Sequence, residues 1–256
     1  MIIPILKEKI KTLGPTFGSA LGPALGTGVP LVIYEEVFTT LHYNKNILTP
    51  TDISISFLLA FLAYGYDRLR DATSYDIKTT SESKQVTYDS INKIREIYVL
   101  ALISSFLYLN HELYKSQENY VFSLPLLLSF IYKDIKSFLG IYKPLFIGTM
   151  WASASVIIPC VMHDNSFDIL KDPLCYVPCA LSLASTSNVA DIKDIKEDKE
   201  EGVQTFATEY GKLNTKMISL TGLCISSALY ACHPNAGTNI FFEIQNAILA
   251  GVVFFF

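Results

Sequence analysis

The chain has 256 residues, of which 50% are hydrophobic and only 17% are charged, and its net charge is −4. Soluble domains carry about 25% charged residues, so this composition argues against an ordinary soluble protein, and a weakly acidic chain gives no reason to expect a nucleic-acid partner. The length suffices for one large domain, and we predict that residues 1–256 form a single one.

Eight apolar stretches predict membrane-spanning helices, several of them shorter than the usual span of about 20 residues. In chain order they are Phe17–Val37, Ile53–Tyr66, Ile97–Asn110, Tyr120–Tyr132, Pro144–Met162, Pro173–Val189, Met217–Cys232 and Ile240–Phe256. The N-terminal stretch MIIPILKEKIKTLG has no long apolar core followed by a cleavage site, so we expect no signal peptide. The pattern predicts an all-α, polytopic membrane helix bundle.

Two features inside these stretches are interpreted as packing. Gly18, Gly22 and Gly26 recur every four residues in the first stretch, which predicts a helix face that packs closely on a neighbour. The five cysteines lie in apolar runs without a CxxC pair, which is typical of small packing residues and not of a disulfide frame or a zinc site. We expect Glu35 and Glu36, which end the first stretch, to lie at the membrane interface.

The distribution of basic residues tests the membrane prediction independently. If the stretches all cross, one side receives the N-terminal tail and the segments 67–96, 133–143 and 191–216, which together carry 17 of the 20 Lys and Arg. The opposite side holds Lys45, Lys115, Lys171 and all four histidines. This asymmetry is what the positive-inside rule expects, so we predict a multi-pass membrane protein whose N-terminus faces the cytosol or its equivalent.

Two groups of aspartates lie on this same basic side. Asp67 and Asp71 end the second stretch, and Asp191, Asp194 and Asp198 follow the sixth. On a helix each group falls along one face, so its carboxylates can converge on one point. Such oxygen ligands suit Mg²⁺, which commonly binds one or two carboxylates together with phosphate oxygens.

A charge run at a helix end usually just meets water, and that alternative stays open for each group taken alone. Two groups at the mouths of apolar helices on the same side favour a binding site. Basic residues nearby strengthen this interpretation: Arg68, Arg70, Lys133, Lys136, Lys143 and Lys193. Carboxylates, lysines and an apolar chamber together suit a substrate with an anionic head and a hydrophobic tail.

The second aspartate group resembles a signature of the UbiA superfamily of intramembrane prenyltransferases, D-x-x-D-x-x-x-D followed by a glycine and a threonine. Here it reads DIKDIKEDKEEGVQT, with Gly202 and Thr205 in place. The stretch IYKDIKSFLGIYKPLFIGTMWA is similar to the family's Tyr/Lys-rich loop, with Lys143 where a lysine before the fifth span is expected. The resemblance implies a UbiA-like helix bundle, for which the apolar stretches predict about eight spans where family members usually have nine helices.

The family's first signature, N-(D/Q)-x-x-D-x-x-x-D, matches only in part and in two registers. The preferred register starts at Asp67, which places Arg68 second, Asp71 third and Tyr75 last. The other register starts at Ala63 and Tyr64 and places Asp67 and Asp71 on the last two aspartates.

The resemblance implies a Mg²⁺-dependent enzyme that ionises an allylic isoprenyl diphosphate within the bilayer and transfers the prenyl group to a lipophilic acceptor. Its metal ligands would be Asp67, Asp71, Asp191, Asp194 and Asp198, of which the first four are the candidate catalytic residues. Its diphosphate-binding residues would be Arg68, Lys133, Lys136, Lys143 and Lys193. A terpene cyclase, in which the substrate's own double bond captures the cation, and a non-catalytic membrane protein on the same bundle remain alternatives.

Overall fold

The computed structural model describes the backbone of residues 2–45, 47–75, 80, 82–114, 119–164, 166–236 and 241–255. Within these ranges the side chains of residues 2–14, 23–29, 113–114 and 119–126 and a few single positions, including Lys133, are not described.

Helices form all the regular structure that is described, and no strand occurs there. The α-helices are α1 (Ile2–Tyr43), α2 (Pro50–Ser74), α3 (Glu82–Lys93), α4 (Arg95–Tyr114), α5 (Asn119–Leu139), α6 (Lys143–Ala152), α7 (Ile158–Asp164), α8 (Val177–Glu200), α9 (Phe206–Ala231) and α10 (Phe241–Phe255). A π-helical turn, Ser153–Ile157, joins α6 to α7 without a break, and Ile158 N–H donates to the carbonyl of Ser153 five residues earlier. Short 3₁₀ turns precede α6 and α8.

Local sequence signals explain where two important helices begin. Thr49 caps α2 in a reciprocal capping box with Asp52, and Pro50 occupies the first helical position. Thr205 caps α9, because its hydroxyl accepts the backbone N–H of Thr208. The glycine that follows the aspartate motif ends α8: Gly202 adopts φ 69°, a conformation that glycine reaches without steric cost.

Helix α8 is the central packing element, lying between α6 on one side and α9 on the other. The contact with α6 is unusually close at Gly148, where a Cβ atom would lie 2.2 Å from the carbonyl oxygen of Ala180 and 2.9 Å from Cβ of Ala184. Helix α1 packs on α2, and its rings of Tyr34 and Phe38 meet α9 and α10 in an aromatic cluster. The centre of the bundle is therefore fixed by backbone proximity at α6–α8 and by aromatic packing around α1.

Each of the eight predicted spans coincides with helix, which confirms the all-α prediction, although some boundaries were wrong. The sixth stretch was predicted to start at Pro173, whereas α8 begins at Val177 after a 3₁₀ turn. The segment 67–96 was treated as a connection, yet it contains α3, whose polar sequence gave no apolar stretch to detect. Residues 240 and 256, the ends of the last stretch, lie outside the described residues.

The packing of α1 differs from the prediction. A Cβ atom on Gly18 or Gly22 would have nothing within 4 Å, so these glycines do not mediate close helix contact, while the surroundings of Gly26 are not described. Glu35 is fully buried inside the protein, because α1 continues to Tyr43 and turns this side chain inward, whereas Glu36 is exposed. Close approach to a neighbouring backbone occurs instead at Gly148, outside any repeated pattern.

The exterior of the bundle carries large apolar side chains. On α4, Ile97, Leu100, Ile103 and Leu107 are each at least half exposed and follow the spacing of one helix face. Among the described residues, the helical segment Asp134–His163 is long and apolar enough to cross a membrane by length and composition, and Phe241–Phe254 is a shorter apolar helix.

Candidate active site

A cavity of about 220 Å³ opens between α2, α3, α5, α6 and α8, and it collects most of the charged residues singled out in the sequence. Its charged lining residues are Asp67, Arg68, Asp71, Lys84, Lys136, Lys143, Asp191, Asp194, Glu197, Asp198 and Glu201. Both aspartate groups and three of the five predicted diphosphate-binding lysines and arginines, namely Arg68, Lys136 and Lys143, therefore meet at one place.

The aspartates of α8 converge because α8 remains helical up to Glu200. Asp191, Asp194 and Asp198 follow one another at spacings of three and four residues, and all three line the cavity. Asp191 and Asp198 are buried and Asp194 is partly exposed. The C-terminal turns of α8 thus present one carboxylate face to the cavity.

Lys143 forms a buried ion pair with Asp191. It is the first residue of α6, and its Nζ lies 2.6 Å from Asp191 Oδ1, with side chains only 10% and 4% exposed. Burial raises the pKa of Asp191, although the charge of Lys143 opposes the rise. The close α6–α8 contact at Gly148 holds these two residues at pairing distance.

Lys84 is a site residue that the sequence analysis missed. Its Nζ lies 2.9 Å from Asp194 Oδ1 and 2.7 Å from Glu197 Oε2, so α3 supplies a cation to the aspartate face of α8. One turn later, the hydroxyl of Tyr88 donates to Asp71 Oδ2 and accepts from Arg68, both at 3.1 Å. The spacing of Lys84, Tyr88 and the buried Ile91 was the available signal for an inward face of α3.

The remaining basic residues divide between the cavity and the outside. Lys136 pairs with Glu201 at the cavity edge. Arg70 makes a bidentate pair with Asp134 of α5 and does not line the cavity. Lys193 does not line the cavity: it lies at a separate groove with Leu249, Val252 and Val253 of α10, and its role in binding diphosphate stays a prediction. The side chain of Lys133 lies outside the described residues.

The chain is similar to a known protein in its fold but not in its sequence. No protein-family model matches the chain, and no curated protein matches it in sequence. The apo structure of a UbiA homolog from Aeropyrum pernix K1 superimposes with a TM-score of 0.67 at 15% identity, covering 88% of this chain and 86% of that one. This chain has the UbiA fold.

On the UbiA fold, the cavity lining decides between the two registers of the first signature. Ala63, Tyr64, Asp67 and Asp71 all line the cavity. Tyr75, the last position of the preferred register, is the residue after α2, does not line the cavity, and donates its hydroxyl to Asp89. The lining therefore favours the register that begins at Ala63, in which alanine and tyrosine occupy the first two named positions of the motif.

The inner part of this UbiA-fold cavity is aromatic. The rings of Tyr64 and Trp151 stack at 5.8 Å, and those of Tyr132 and Phe146 stack at 6.1 Å. All four residues line the cavity together with apolar side chains such as Leu59 and Met150. The guanidinium of Arg68 lies 6.0 Å from the centre of the Tyr64 ring, where the charged and the aromatic parts meet.

The carboxylate set fits a divalent cation. Asp191 Oδ2 and Asp198 Oδ2 are buried and accept no hydrogen bond among the described residues. Burial raises the pKa of Asp198 to about 6, and Lys143 opposes this. Unpartnered buried carboxylate oxygens are costly, and oxygen-only ligands from two facing helices are the donor set of Mg²⁺. Asp67, Asp71, Asp191, Asp194 and Asp198 are the residues that could hold it.

Proposed function

We propose that this chain is a Mg²⁺-dependent prenyltransferase of the UbiA type, which ionises an allylic isoprenyl diphosphate and transfers the prenyl group to a lipophilic acceptor. One observation carries the proposal: the aspartates of α2 and α8 line one cavity whose inner part is aromatic. A charged mouth above an apolar chamber matches a substrate with a diphosphate head and a hydrocarbon tail.

The charges of the cavity make the binding of the diphosphate depend on added cations. Seven carboxylates line it against four basic side chains, so a bare diphosphate meets net repulsion. Bound Mg²⁺ would supply the positive charge that holds the diphosphate oxygens and stabilises the leaving group. Lys143, Lys84 and Arg68 already lie among the carboxylates and can transfer their hydrogen bonds to phosphate oxygens.

The chemical step breaks the bond between the allylic carbon and the diphosphate oxygen, and the electron pair leaves with the diphosphate. The rings of Tyr64, Trp151, Tyr132 and Phe146 face the space in which the allylic cation forms, and each aromatic face stabilises a cation by about 0.5–2 kcal/mol. A nucleophilic atom of the acceptor then forms the new bond and loses a proton.

The proposal places the protein in a lipid bilayer, with the aspartate cavity at the cytosolic or equivalent side. The half-exposed apolar face of α4 is what a lipid-facing surface requires. The sorting of basic residues to the end that carries the aspartates supports the orientation.

The test is a turnover assay on the purified protein in Mg²⁺ with geranyl, farnesyl or geranylgeranyl diphosphate. Diphosphate release that requires a lipid extract as acceptor supports the transferase. Formation of a cyclic hydrocarbon without acceptor would instead identify a terpene cyclase. Absence of turnover with every substrate, with and without acceptor, would leave a non-catalytic membrane protein.

Asp194→Ala makes the assay specific to the site. Asp194 is partly exposed and pairs with Lys84, so its loss should leave the fold intact and lower turnover at least 100-fold, the order expected when a charge-stabilising group is removed. Glu200→Ala is the matched control on the same helix, because Glu200 is exposed and does not line the cavity. Equal activity of the two variants would contradict the assignment.

A further inference from the structure

A second cluster of metal-binding side chains lies at the opposite end of the bundle. His42 is in the last turn of α1, and Asp172 and Cys175 lie in the 3₁₀ turns before α8. Helix α8 alone separates Val177 from Asp191 by about 21 Å, so this cluster is distinct from the aspartate cavity. Nothing in the proposed prenyl transfer uses it.

The three donor atoms approach one another closely. Cys175 Sγ lies 3.1 Å from Asp172 Oδ2 and 3.9 Å from His42 Nδ1, and His42 Nδ1 lies 3.7 Å from Asp172 Oδ2. In a tetrahedral zinc site, bonds of about 2.0–2.3 Å place the donors about 3.3–3.6 Å apart. The observed separations bracket this range, so a zinc ion fits with shifts of a few tenths of an ångström.

A fourth residue, His233, contacts both Asp172 and Cys175, and its Nε2 lies 3.5 Å from Cys175 Sγ. His233 Nε2 lies 3.2 Å from Asp172 Oδ2, and its Nδ1 accepts the backbone N–H of Asn235 at 3.1 Å. A ring nitrogen that accepts a backbone N–H carries no proton, so in the neutral ring the proton is on Nε2, which donates to Asp172. Histidine in this role holds a ligating carboxylate in place, as outer residues of metal sites commonly do.

The composition of the cluster favours a borderline-soft ion. Thiolate, imidazole and carboxylate together select Zn²⁺ over Mg²⁺ or Ca²⁺, which prefer oxygen alone. Cys175 is fully buried, while His42 and Asp172 are 17% and 33% exposed, so the cluster has both an enclosed thiol and access from solvent. The sequence indicated only that Cys175 is a packing residue. It did not reveal the cluster, because His42 lies 133 positions before Cys175 and Asp172 lies three positions before it, and together they form no motif.

We propose that His42, Asp172 and Cys175 form a Zn²⁺ site with a fourth position open to water, and that His233 positions Asp172. The ion ties the end of α1 to the start of α8 at the end of the bundle remote from the aspartates. The proposal does not rest on prenyltransferase activity and is tested by metal binding alone.

The experiment titrates Co²⁺ into the purified full chain after EDTA treatment and dialysis, with excess Mg²⁺ present to occupy oxygen-only sites. One equivalent should bind, with the near-ultraviolet absorption of a cobalt–thiolate bond, and Zn²⁺ should displace it and raise the Tm. Cys175→Ser should abolish that absorption. Cys232→Ser is the matched control, because Cys232 is an exposed thiol at the same end, and it should leave the absorption unchanged.

His233→Gln separates a ligand from a positioning residue. It should keep the cobalt–thiolate absorption and weaken affinity by about 10–100-fold, the effect typical of residues that orient ligands. Retention of the absorption in Cys175→Ser, or no thiolate-bound cobalt in the wild-type chain, overturns the proposal. Should Cys175→Ser not fold, Asp172→Asn serves in its place, since Asp172 is one-third exposed, and unchanged Co²⁺ affinity in that variant overturns the proposal equally.

Discussion

Asp198 lowers the stability of the metal-free protein when it is ionised, and it is one of the proposed cation ligands. It is buried on α8, and burial raises the pKa of its carboxyl to about 6, with Lys143 opposing. Because this exceeds the unfolded value of about 3.8, the stability that the protonated form contributes is complete below pH 4. It is lost as pH rises through about 6. Above that pH, Oδ2 of the ionised group has no hydrogen-bond partner among the described residues, and a bound cation would supply one.

Asp198→Asn should therefore stabilise the metal-free protein while weakening its response to Mg²⁺. In EDTA at pH 7.5 we expect a Tm higher by about 2–6 °C than that of the wild type, because the buried charge is removed. Below pH 4 the gain should vanish, since the wild-type carboxyl is then protonated. Thermal melts across pH, with and without Mg²⁺, measure both effects. A lower Tm of the variant in EDTA at pH 7.5 would contradict this account.

Lys84 is predicted to act on the diphosphate and not on stability. Its pairs with Asp194 and Glu197 are partly exposed, and such pairs contribute about 0–1 kcal/mol. Lys84→Met should raise KM for the isoprenyl diphosphate about 10-fold or more and change the Tm by under about 3 °C. Lys93→Met is the matched control on α3, where Lys93 is exposed and does not line the cavity, and its kinetics should equal those of the wild type.

At the scale of residues, the sequence was informative where a motif was local and uninformative where partners came from distant segments. Asp191, Asp194 and Asp198 could be placed on one face because a helix fixes the direction of residues three and four apart. Lys193 lies outside the cavity because proximity in sequence to these aspartates does not give proximity in space on a helix. Lys84 and the His42–Cys175 contact could not be predicted, since they depend on how α3 and α1 dock.

Among the helices, the α6–α8 contact carries the geometry of the buried ion pair. Gly148 sits where a Cβ atom would lie 2.2 Å from a backbone oxygen of α8, and a backbone atom cannot rotate away. At Gly222, by contrast, a Cβ atom would lie 2.2 Å from the Oγ of Ser185, which a rotamer change can move. The distance from an added Cβ atom to its nearest neighbour is therefore the same at both glycines, but a substitution at Gly148 displaces the helix further than one at Gly222.

Gly148→Ala should separate α6 from α8 and lower both stability and turnover. We expect a loss of about 1–3 kcal/mol, the usual cost of overpacking, seen as a Tm lower by about 2–10 °C. Turnover should fall further than stability explains, because Lys143 moves relative to Asp191. Gly222→Ala should cost less, and Gly251→Ala should cost nothing, because a Cβ atom there has nothing within 4 Å. An equal Tm in all three variants would show that the contact is not tight.

The presence and approximate position of most helices could be predicted from the sequence, whereas the way in which they pack on one another could not. Long apolar runs identify helices of a bundle by composition alone, and every predicted stretch coincides with helix. Helix α3 was missed because its sequence is polar overall and buries only a narrow stripe that includes Tyr88 and Ile91. Close packing by glycine was predicted on α1 but occurs at Gly148 on α6, because a repeat of small residues does not show whether another helix packs against it.

For the molecule as a whole, the aspartate cavity and the histidine-bearing end lie at opposite ends of α8, and the positive-inside prediction assigns them to opposite sides of a membrane. Cys232 marks the histidine-bearing end, and Lys199, exposed in the last turn of α8, marks the other. The two positions therefore provide a direct measurement of orientation.

In a Cys224→Ser background, a membrane-impermeant maleimide should reach the two markers from opposite sides. The thiol introduced by Lys199→Cys should react only in vesicles that expose the cytosolic face, and Cys232 only in vesicles of the opposite orientation. The buried Cys160, Cys175 and Cys179 should stay unlabelled in folded protein. Labelling of both markers from one side would contradict the predicted topology.

The π-helical turn Ser153–Ile157 has a consequence for how this chain can change in length. A π turn holds one residue more than an α turn. The extra residue is contained within the turn, so the helices before and after it present the same faces as they would in an uninterrupted α-helix. Before it, Trp151 faces the cavity, and after it, Ile158 is buried in the core. Elsewhere in a helix, deleting one residue rotates everything beyond it by about 100°. Within 153–157, one deletion converts the turn to α and leaves both faces aligned, so related chains can differ by one residue there while sharing the same cavity.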